Sequence, residues 1–117
     1  MRELPESFLD FGRDHPDVKR SYDELVASVQ KAGPLDERCQ RLVKLAIAVG
    51  GRLEGAVRSH ALQAKEAGVV EAEIDHVVLL ALTTIGLPST VAARSWVRSA
   101  LAGEEIRAGR TGVGRAR

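Results

Sequence analysis

Apolar residues recur along the chain at spacings of three and four, and no window shows the two-residue alternation of a half-buried strand. The pattern therefore predicts an all-α protein. Proline near helix starts, an N-cap at Asp36 and glycine at helix ends, Gly68 among them, mark the boundaries. These signals predict about six helices, at residues 5–12, 16–33, 36–50, 53–68, 71–86 and 88–103.

The fifth predicted helix is apolar on every side. Six apolar residues follow one another from Val77 to Leu82, whereas a helix on the surface of a monomer usually has one apolar stripe. The apolar side chains of such a helix must be buried on every side. The other short helices of so small a chain scarcely provide enough surface to bury them. We therefore expect a homo-oligomer, the alternative being a central helix wrapped by its own chain.

Length and composition are those of one globular domain. The chain has 117 residues, of which 44% are hydrophobic and 28% charged, with a formal net charge of +1. So small a charge gives no general attraction to nucleic acid or membranes. The start of the chain is polar, unlike a signal peptide, and no apolar run approaches the ~20 residues of a membrane span. We expect a cytoplasmic protein that does not bind membranes.

The C-terminal segment differs from the rest of the chain. Residues 107–117 contain four arginines, three glycines and no acid, so they have little apolar surface to bury. We predict a single helical domain over residues 1–106 and a flexible tail over residues 107–117. A nucleic-acid-binding arm is the alternative for the tail, although the tail has neither an aromatic residue nor a lysine.

Cys39 is the one cysteine of the chain. A single thiol excludes an internal disulfide, a Cys-x-x-Cys redox pair and a zinc site of several cysteines. The histidines His15, His60 and His76 lack metal-ligand spacing, and Gly50-Gly51 lacks the lysine of a phosphate loop. We predict neither a metal nor a cofactor.

His60 is the candidate functional residue. At about 100° per residue, it lies in the middle of the apolar stripe of the fourth helix. A histidine among small residues leaves space beside the imidazole for a small ligand. The alternative is a core histidine bonded to a backbone carbonyl. The stripe consists of Leu53, Ala56, Val57, His60, Ala61 and Ala64.

The order of residues around His60 resembles the carboxymuconolactone decarboxylase family, which includes the AhpD-like alkylhydroperoxidases. The resemblance extends from Pro34 to Leu101. It implies an all-α fold that assembles as trimers or hexamers. The matching pieces are Leu53-Glu54-Gly55-Ala56-Val57-Arg58-Ser59-His60, then Ala64, Gly68, Glu73-Ile74 and Gly86-Leu87-Pro88.

The resemblance also shows which family chemistry this chain lacks. The peroxidase branch has Cys-x-x-Cys-x-x-x-His on this helix, and the aligned positions here are Leu53, Ala56 and His60. Arg41 stands where that branch has the glutamate of its proton relay. Cys39 has no second thiol to resolve it. We therefore expect no thiol peroxidase activity, although the family as a whole carries that label.

The decarboxylase branch lacks the two cysteines and keeps the histidine. Its resemblance implies loss of CO₂ from a carboxylated lactone, with His60 as the proton donor. Cations would hold the substrate carboxylates. His76 could reach His60 across the helix pair, but a structural or interfacial role is the simpler interpretation. The candidate cations are Arg41, Arg58, Arg94 and Arg52, and each of them also fits a solvated position.

Two hypotheses follow for the function. In the first, the chain is a small oligomeric decarboxylase-like protein that binds a small molecule near His60 and acts as a lyase or isomerase. In the second, it is a non-catalytic scaffold or a ligand-sensing oligomer that kept the fold and lost the chemistry. Arginine side chains that converge on His60 favour the first hypothesis, and a dry, filled site favours the second.

Overall fold

The computed structural model describes the backbone of residues 6–111 and the side chains of residues 6–103. Within those limits every regular element is a helix, which confirms the all-α prediction. The helices are α1 (Glu6–Asp14), α2 (Pro16–Lys31), α3 (Glu37–Gly50), α4 (Glu54–Glu66), α5 (Glu71–Leu80), α6 (Leu82–Ile85) and α7 (Leu87–Thr111).

The chain forms two compact units, Met1–Leu35 and Asp36–Arg117. In the first unit α1 packs against α2, with Lys19 Nζ 5.2 Å from the centre of the Phe8 ring. The rings of Phe11 and His15 lie 5.2 Å apart. Neither helix has a buried side chain, so this pair has no core of its own.

The second unit contains the hydrophobic core, and α4 lies at its centre. This helix packs against α3 on one side and against α7 on another, and α5 closes the core. The largest fully buried side chains are Leu45, Val49, Val57, Ile74 and Val78. The core therefore holds α3, α4, α5 and α7 in fixed relation and determines which faces of α4 remain available for a site.

Helices α3 and α4 are joined by a tight turn at residues 51–53. The amide of Arg52 donates to Val49 O at 3.0 Å, and that of Leu53 donates to Ala48 O at 3.1 Å. This pair of bonds is the Schellman arrangement, which requires a residue in the left-handed region after the helix. Arg52 supplies it with a φ of 57°. The turn therefore sends α4 back along α3 in the antiparallel direction.

The signals at two helix ends act as predicted. The carboxylate of Asp36 accepts a hydrogen bond from the amide of Cys39 at 2.8 Å, which caps α3. At the end of α4, Gly68 has a φ of 91° and the amide of Val69 donates to Ala64 O at 3.0 Å. A glycine is favoured there because the left-handed region is costly for other residues.

The helix predicted over residues 71–86 is interrupted, while the prediction of about six helices holds apart from one added short turn. It separates into α5 and the single turn α6 at Ala81, whose amide donates to Val78 O at 3.0 Å. A bond of that i to i−3 kind tightens a helix locally. The apolar sequence here contains neither glycine nor proline to mark the change.

Helix α7 is longer than predicted. The sequence places its end near Gly103, and its backbone continues to Thr111. Residues 104–108 contain two glutamates, Ile106, Arg107 and Ala108, most of which favour a helix. The last part of the segment 107–117 lies outside the described residues. A single domain over residues 1–106 with a flexible tail therefore stays a prediction.

Among the helices that the structure describes, none combines the length and apolar character that crossing a membrane requires.

Candidate functional site

The antiparallel packing of α3 on α4 brings Arg41 against the polar flank of α4. Arg41 Nη1 donates to Gln63 Oε1 at 2.7 Å, and Gln63 Nε2 donates in turn to Ser59 Oγ at 3.0 Å. All three side chains are half-buried. We call these three residues the Arg41 cluster.

His60 lies directly beside the Arg41 cluster. It follows Ser59 on α4 and precedes Gln63 by three residues, a spacing that makes two helical side chains neighbours. The imidazole is half-buried, and its Nδ1 atom is buried. Arg41 therefore bonds a side chain, Gln63, that is a neighbour of His60 on α4.

The guanidinium of Arg41 is incompletely satisfied. Its side chain is 20% exposed, and Nη2 lies 3.4 Å from the exposed carboxylate of Glu37. The Nε atom is buried and has no hydrogen-bond partner among the described residues. A buried donor left without an acceptor costs about 1–3 kcal/mol, and more when the group is charged. An anionic oxygen supplied by a ligand would remove that cost.

The other predicted arginines lie elsewhere. Arg58 is two residues before His60, so it faces another side of α4, where it pairs with Glu54 at 3.0 Å and bonds Ser99 of α7 at 3.2 Å. Arg94 pairs with Asp75 of α5 at 3.2 Å. Arg52 is exposed in the turn before α4. Of the candidates, Arg41 is the one that bonds a helical neighbour of His60, Gln63, among the described residues.

The remaining titratable and reactive candidates are two histidines and the cysteine. His15 belongs to the first unit and is exposed, and His76 is exposed on α5. Cys39 is a free thiol in the first turns of α3. Within residues 6–103 there is no group of three or more His, Cys, Asp or Glu side chains placed to hold a metal ion.

Ser59 and Gln63 were not recognised as site residues from the sequence. They are four residues apart, on the flank of the stripe that contains His60. This spacing is a signal that could have found them, because side chains at i and i+4 are neighbours on a helix. The spacing along α4 does not indicate that Arg41 of α3 is the partner of Gln63.

The described residues of the second unit line two cavities of ligand size, and His60 lines neither, which is the outcome that favours the non-catalytic hypothesis. One has a volume of about 380 Å³ and lies between the first turns of α5 and the middle of α7. The other, about 340 Å³, is an apolar groove between α3, α5 and α6. Its lining includes Leu42, Val43, Ala46, Val49, Val77, Leu80 and Ile85.

The described residues form an all-α fold, and the sequence contains a single cysteine and so no thiol pair. The chain belongs to the carboxymuconolactone decarboxylase family, whose model matches residues 16–99. The family resemblance drawn from the residues around His60 is thereby confirmed. The match begins earlier than that resemblance did, so it includes α2 as well.

One curated relative is a protein of Haemophilus influenzae named "Uncharacterized protein". It is 32% identical to this chain over 61 residues, which are 52% of the chain and 54% of the relative. The chain thus spans about half the length of that relative. No solved structure matches the chain.

The absence of a second thiol leads to a test of redox chemistry. We expect that hydrogen peroxide consumption with dithiothreitol as reductant stays at the rate without protein, because Leu53 and Ala56 occupy the cysteine positions of the peroxidase branch. The measurement is peroxide loss over time for the wild type and for Cys39→Ser. Rapid turnover that disappears in Cys39→Ser would contradict this prediction.

Proposed function

We propose that the chain binds a small organic carboxylate beside His60 and that His60 donates a proton during its decarboxylation. The observation that carries this proposal is the buried Nε of Arg41, which has no acceptor among the described residues and lies in a cluster next to the histidine. Membership of the carboxymuconolactone decarboxylase family supports the same chemistry.

In the proposed site, the Arg41 cluster binds the carboxylate of the ligand. Gln63 bonds Nη1 of Arg41 and thereby fixes the plane of the guanidinium. Nε is then the donor left for a carboxylate oxygen of the ligand. Because this atom is buried and neither cavity is lined by His60, the proposal requires the side chains of Arg41 and His60 to move when the ligand binds. Charge-assisted bonds of this kind are among the strongest that a small site offers. The exposed Glu37 is a weak competitor because its carboxylate is largely in water.

In the proposed reaction, His60 donates the proton that replaces the lost CO₂. The bond between the ligand's α-carbon and its carboxylate carbon breaks, CO₂ leaves, and the electron pair of that bond stays on the carbon. The proton of an imidazole N–H then bonds to this carbon, and the imidazole takes up a proton again from solvent. Histidine suits this step because its usual pKa lies near neutrality.

We also propose that copies of the chain associate through the apolar groove between α3, α5 and α6. Leu80 lines the groove and is 60% exposed, and the neighbouring Leu79 is 55% exposed. The described residues therefore do not cover the helix that the sequence marks as apolar on every side. A second copy is the occupant that this pattern favours.

The test of the proposed site uses 4-carboxymuconolactone as the probe. We expect CO₂ release by the wild type, a fall of roughly 10²–10⁴-fold in rate for His60→Ala, and weaker binding for Arg41→Gln by about tenfold or more. The measurements are CO₂ release and calorimetric titration. Arg38→Gln is the matched control, since Arg38 is an exposed arginine of the same helix that pairs with Glu73.

Each result of this test is decisive. Full activity in His60→Ala would overturn the role of the histidine, and unchanged binding in Arg41→Gln would overturn the role of the cluster. Binding of the probe without CO₂ release would favour the ligand-sensing alternative over the enzyme. A wild type that neither binds nor decarboxylates the probe would contradict the proposal for this substrate class.

A further inference from the structure

The cavity between α5 and α7 combines an apolar floor with a charged rim. Its floor includes Ile74, Val97 and Leu101, which are 0%, 4% and 7% exposed. Its volume of about 380 Å³ is within the usual range for small-molecule sites. The rim consists of Glu71 and Asp75 from α5 and Arg94 and Arg98 from α7.

Within the described part of the chain, three of the four charged side chains of the rim have an ion-pair partner, and Arg98 does not. Lys65 lies 2.9 Å from the carboxylate of Glu71, and Arg94 lies 3.2 Å from that of Asp75. Both acids are therefore already neutralised by cations. Arg98 lines the same cavity, and among the described residues it has no hydrogen-bond or ion-pair partner. The cavity thus retains one guanidinium that is able to take an anion.

The two arginines of the rim are adjacent on one face of α7. Arg94 and Arg98 are four residues apart, with Val97 between them and the floor residue Leu101 three residues further on. A ligand carboxylate at Arg98 would therefore place an attached apolar group directly over the floor. At the other side of the cavity, the N-cap of α5 is Val70, which provides no side-chain acceptor for the first-turn amides. Glu71 and Glu73 in the first turn offset the positive end of that helix, so the attraction for an anion rests on Arg98.

We propose that this cavity is a second binding site, distinct from the His60 site, that takes a small monocarboxylate with an apolar body. Arg98 binds the carboxylate, and the floor of Ile74, Val97 and Leu101 contacts the apolar body. Arg94 remains paired with Asp75 and lies at the edge of the site. Because both acids are paired with cations, Arg98 is the one unpaired charge among the described residues of the rim, and one carboxylate balances it. A monocarboxylate therefore fits better than a zwitterion or a cation.

Benzoate is the probe for this site, and benzyl alcohol is its neutral counterpart. In an amide NMR titration of the full chain we expect benzoate to shift the signals of the first turn of α5 and of α7 around Arg98. Benzyl alcohol should bind at least about tenfold more weakly, as should benzoate in Arg98→Gln, because a charge-assisted hydrogen bond is lost. Arg20→Gln is the control, since Arg20 is an exposed arginine of α2 that pairs with Asp17.

A second variant tests the cavity without changing the charge. Ala72 lies exposed at the cavity wall, so Ala72→Phe should fill the space and abolish the benzoate shifts while the helical spectrum stays unchanged. Equal affinity in Arg98→Gln and Arg20→Gln would overturn the proposal. Shifts confined to the amides around His60 would also overturn it, while supporting ligand binding at the Arg41 cluster. Shifts on α5 and α7 that persist in His60→Ala show that the two sites are separate.

Discussion

Leu45→Ala is expected to lower the free energy of unfolding by about 2–5 kcal/mol. Leu45 is 0% exposed and belongs to the same core cluster as Val57 and Ala61 of α4. Truncation removes buried methyl groups, and the surrounding helices cannot collapse fully into the space, since the Schellman turn and the core hold α3 against α4. Because α3 and α4 carry the Arg41 cluster, the same variant should also weaken any ligand binding at His60.

The matched control for this prediction is Leu87→Ala. Leu87 is 61% exposed at the start of α7, so the same substitution should change the free energy of unfolding by less than about 0.5 kcal/mol. Denaturant unfolding, followed by circular dichroism at one fixed protein concentration, measures both values. Equal losses in the two variants would show that Leu45 does not lie in the core.

Helix positions were predictable from the sequence where local chemistry marks them. The starts of α2 and α3 follow from Pro16 and Asp36, and the end of α4 follows from Gly68. Each of these residues acts within its own turn of the chain, through a fixed φ, a cap or a left-handed conformation. Such signals need no knowledge of the tertiary structure.

Two features of the fold have no local signal. The interruption at Ala81 falls within an unbroken apolar run, and a composition of that kind is equally compatible with a continuous helix. At the end of α3, two glycines precede the left-handed position, but Arg52 is the residue that occupies it. That conformation costs a non-glycine residue about 1–2 kcal/mol, so packing between α3 and α4 must stabilise it.

The candidate site was predictable in part, for a similar reason. The position of His60 on its helix follows from helical periodicity alone, and Ser59 and Gln63 could have been added from the same periodicity. Which arginine reaches the histidine depends on how α3 lies on α4, and a single sequence does not contain that information. Arg58 is closest to His60 in sequence, yet it contacts Ser99 on α7. Arg41 is much further away in sequence, yet it bonds Gln63, a helical neighbour of His60.

Leu80→Asp is expected to convert the proposed assembly into monomers. Leu80 is 60% exposed in the single chain and lines the apolar groove. In a monomer the carboxylate of the introduced aspartate therefore remains in water, and the fold is kept. In an assembly the same carboxylate would be buried without a partner, which costs several kcal/mol per copy. Sedimentation equilibrium at micromolar concentration should give a multiple of 12.6 kDa for the wild type and about 12.6 kDa for the variant.

Leu87→Asp separates a specific interface from a general effect of surface charge. Leu87 is as exposed as Leu80 but lies outside the groove, and an aspartate suits the first turn of a helix. This control should therefore keep the mass of the wild-type assembly, and both variants should keep the helical circular dichroism spectrum. A wild type with the mass of one chain contradicts the proposed assembly. Dissociation by both variants would contradict its placement in the groove, because only one of the two residues lies there.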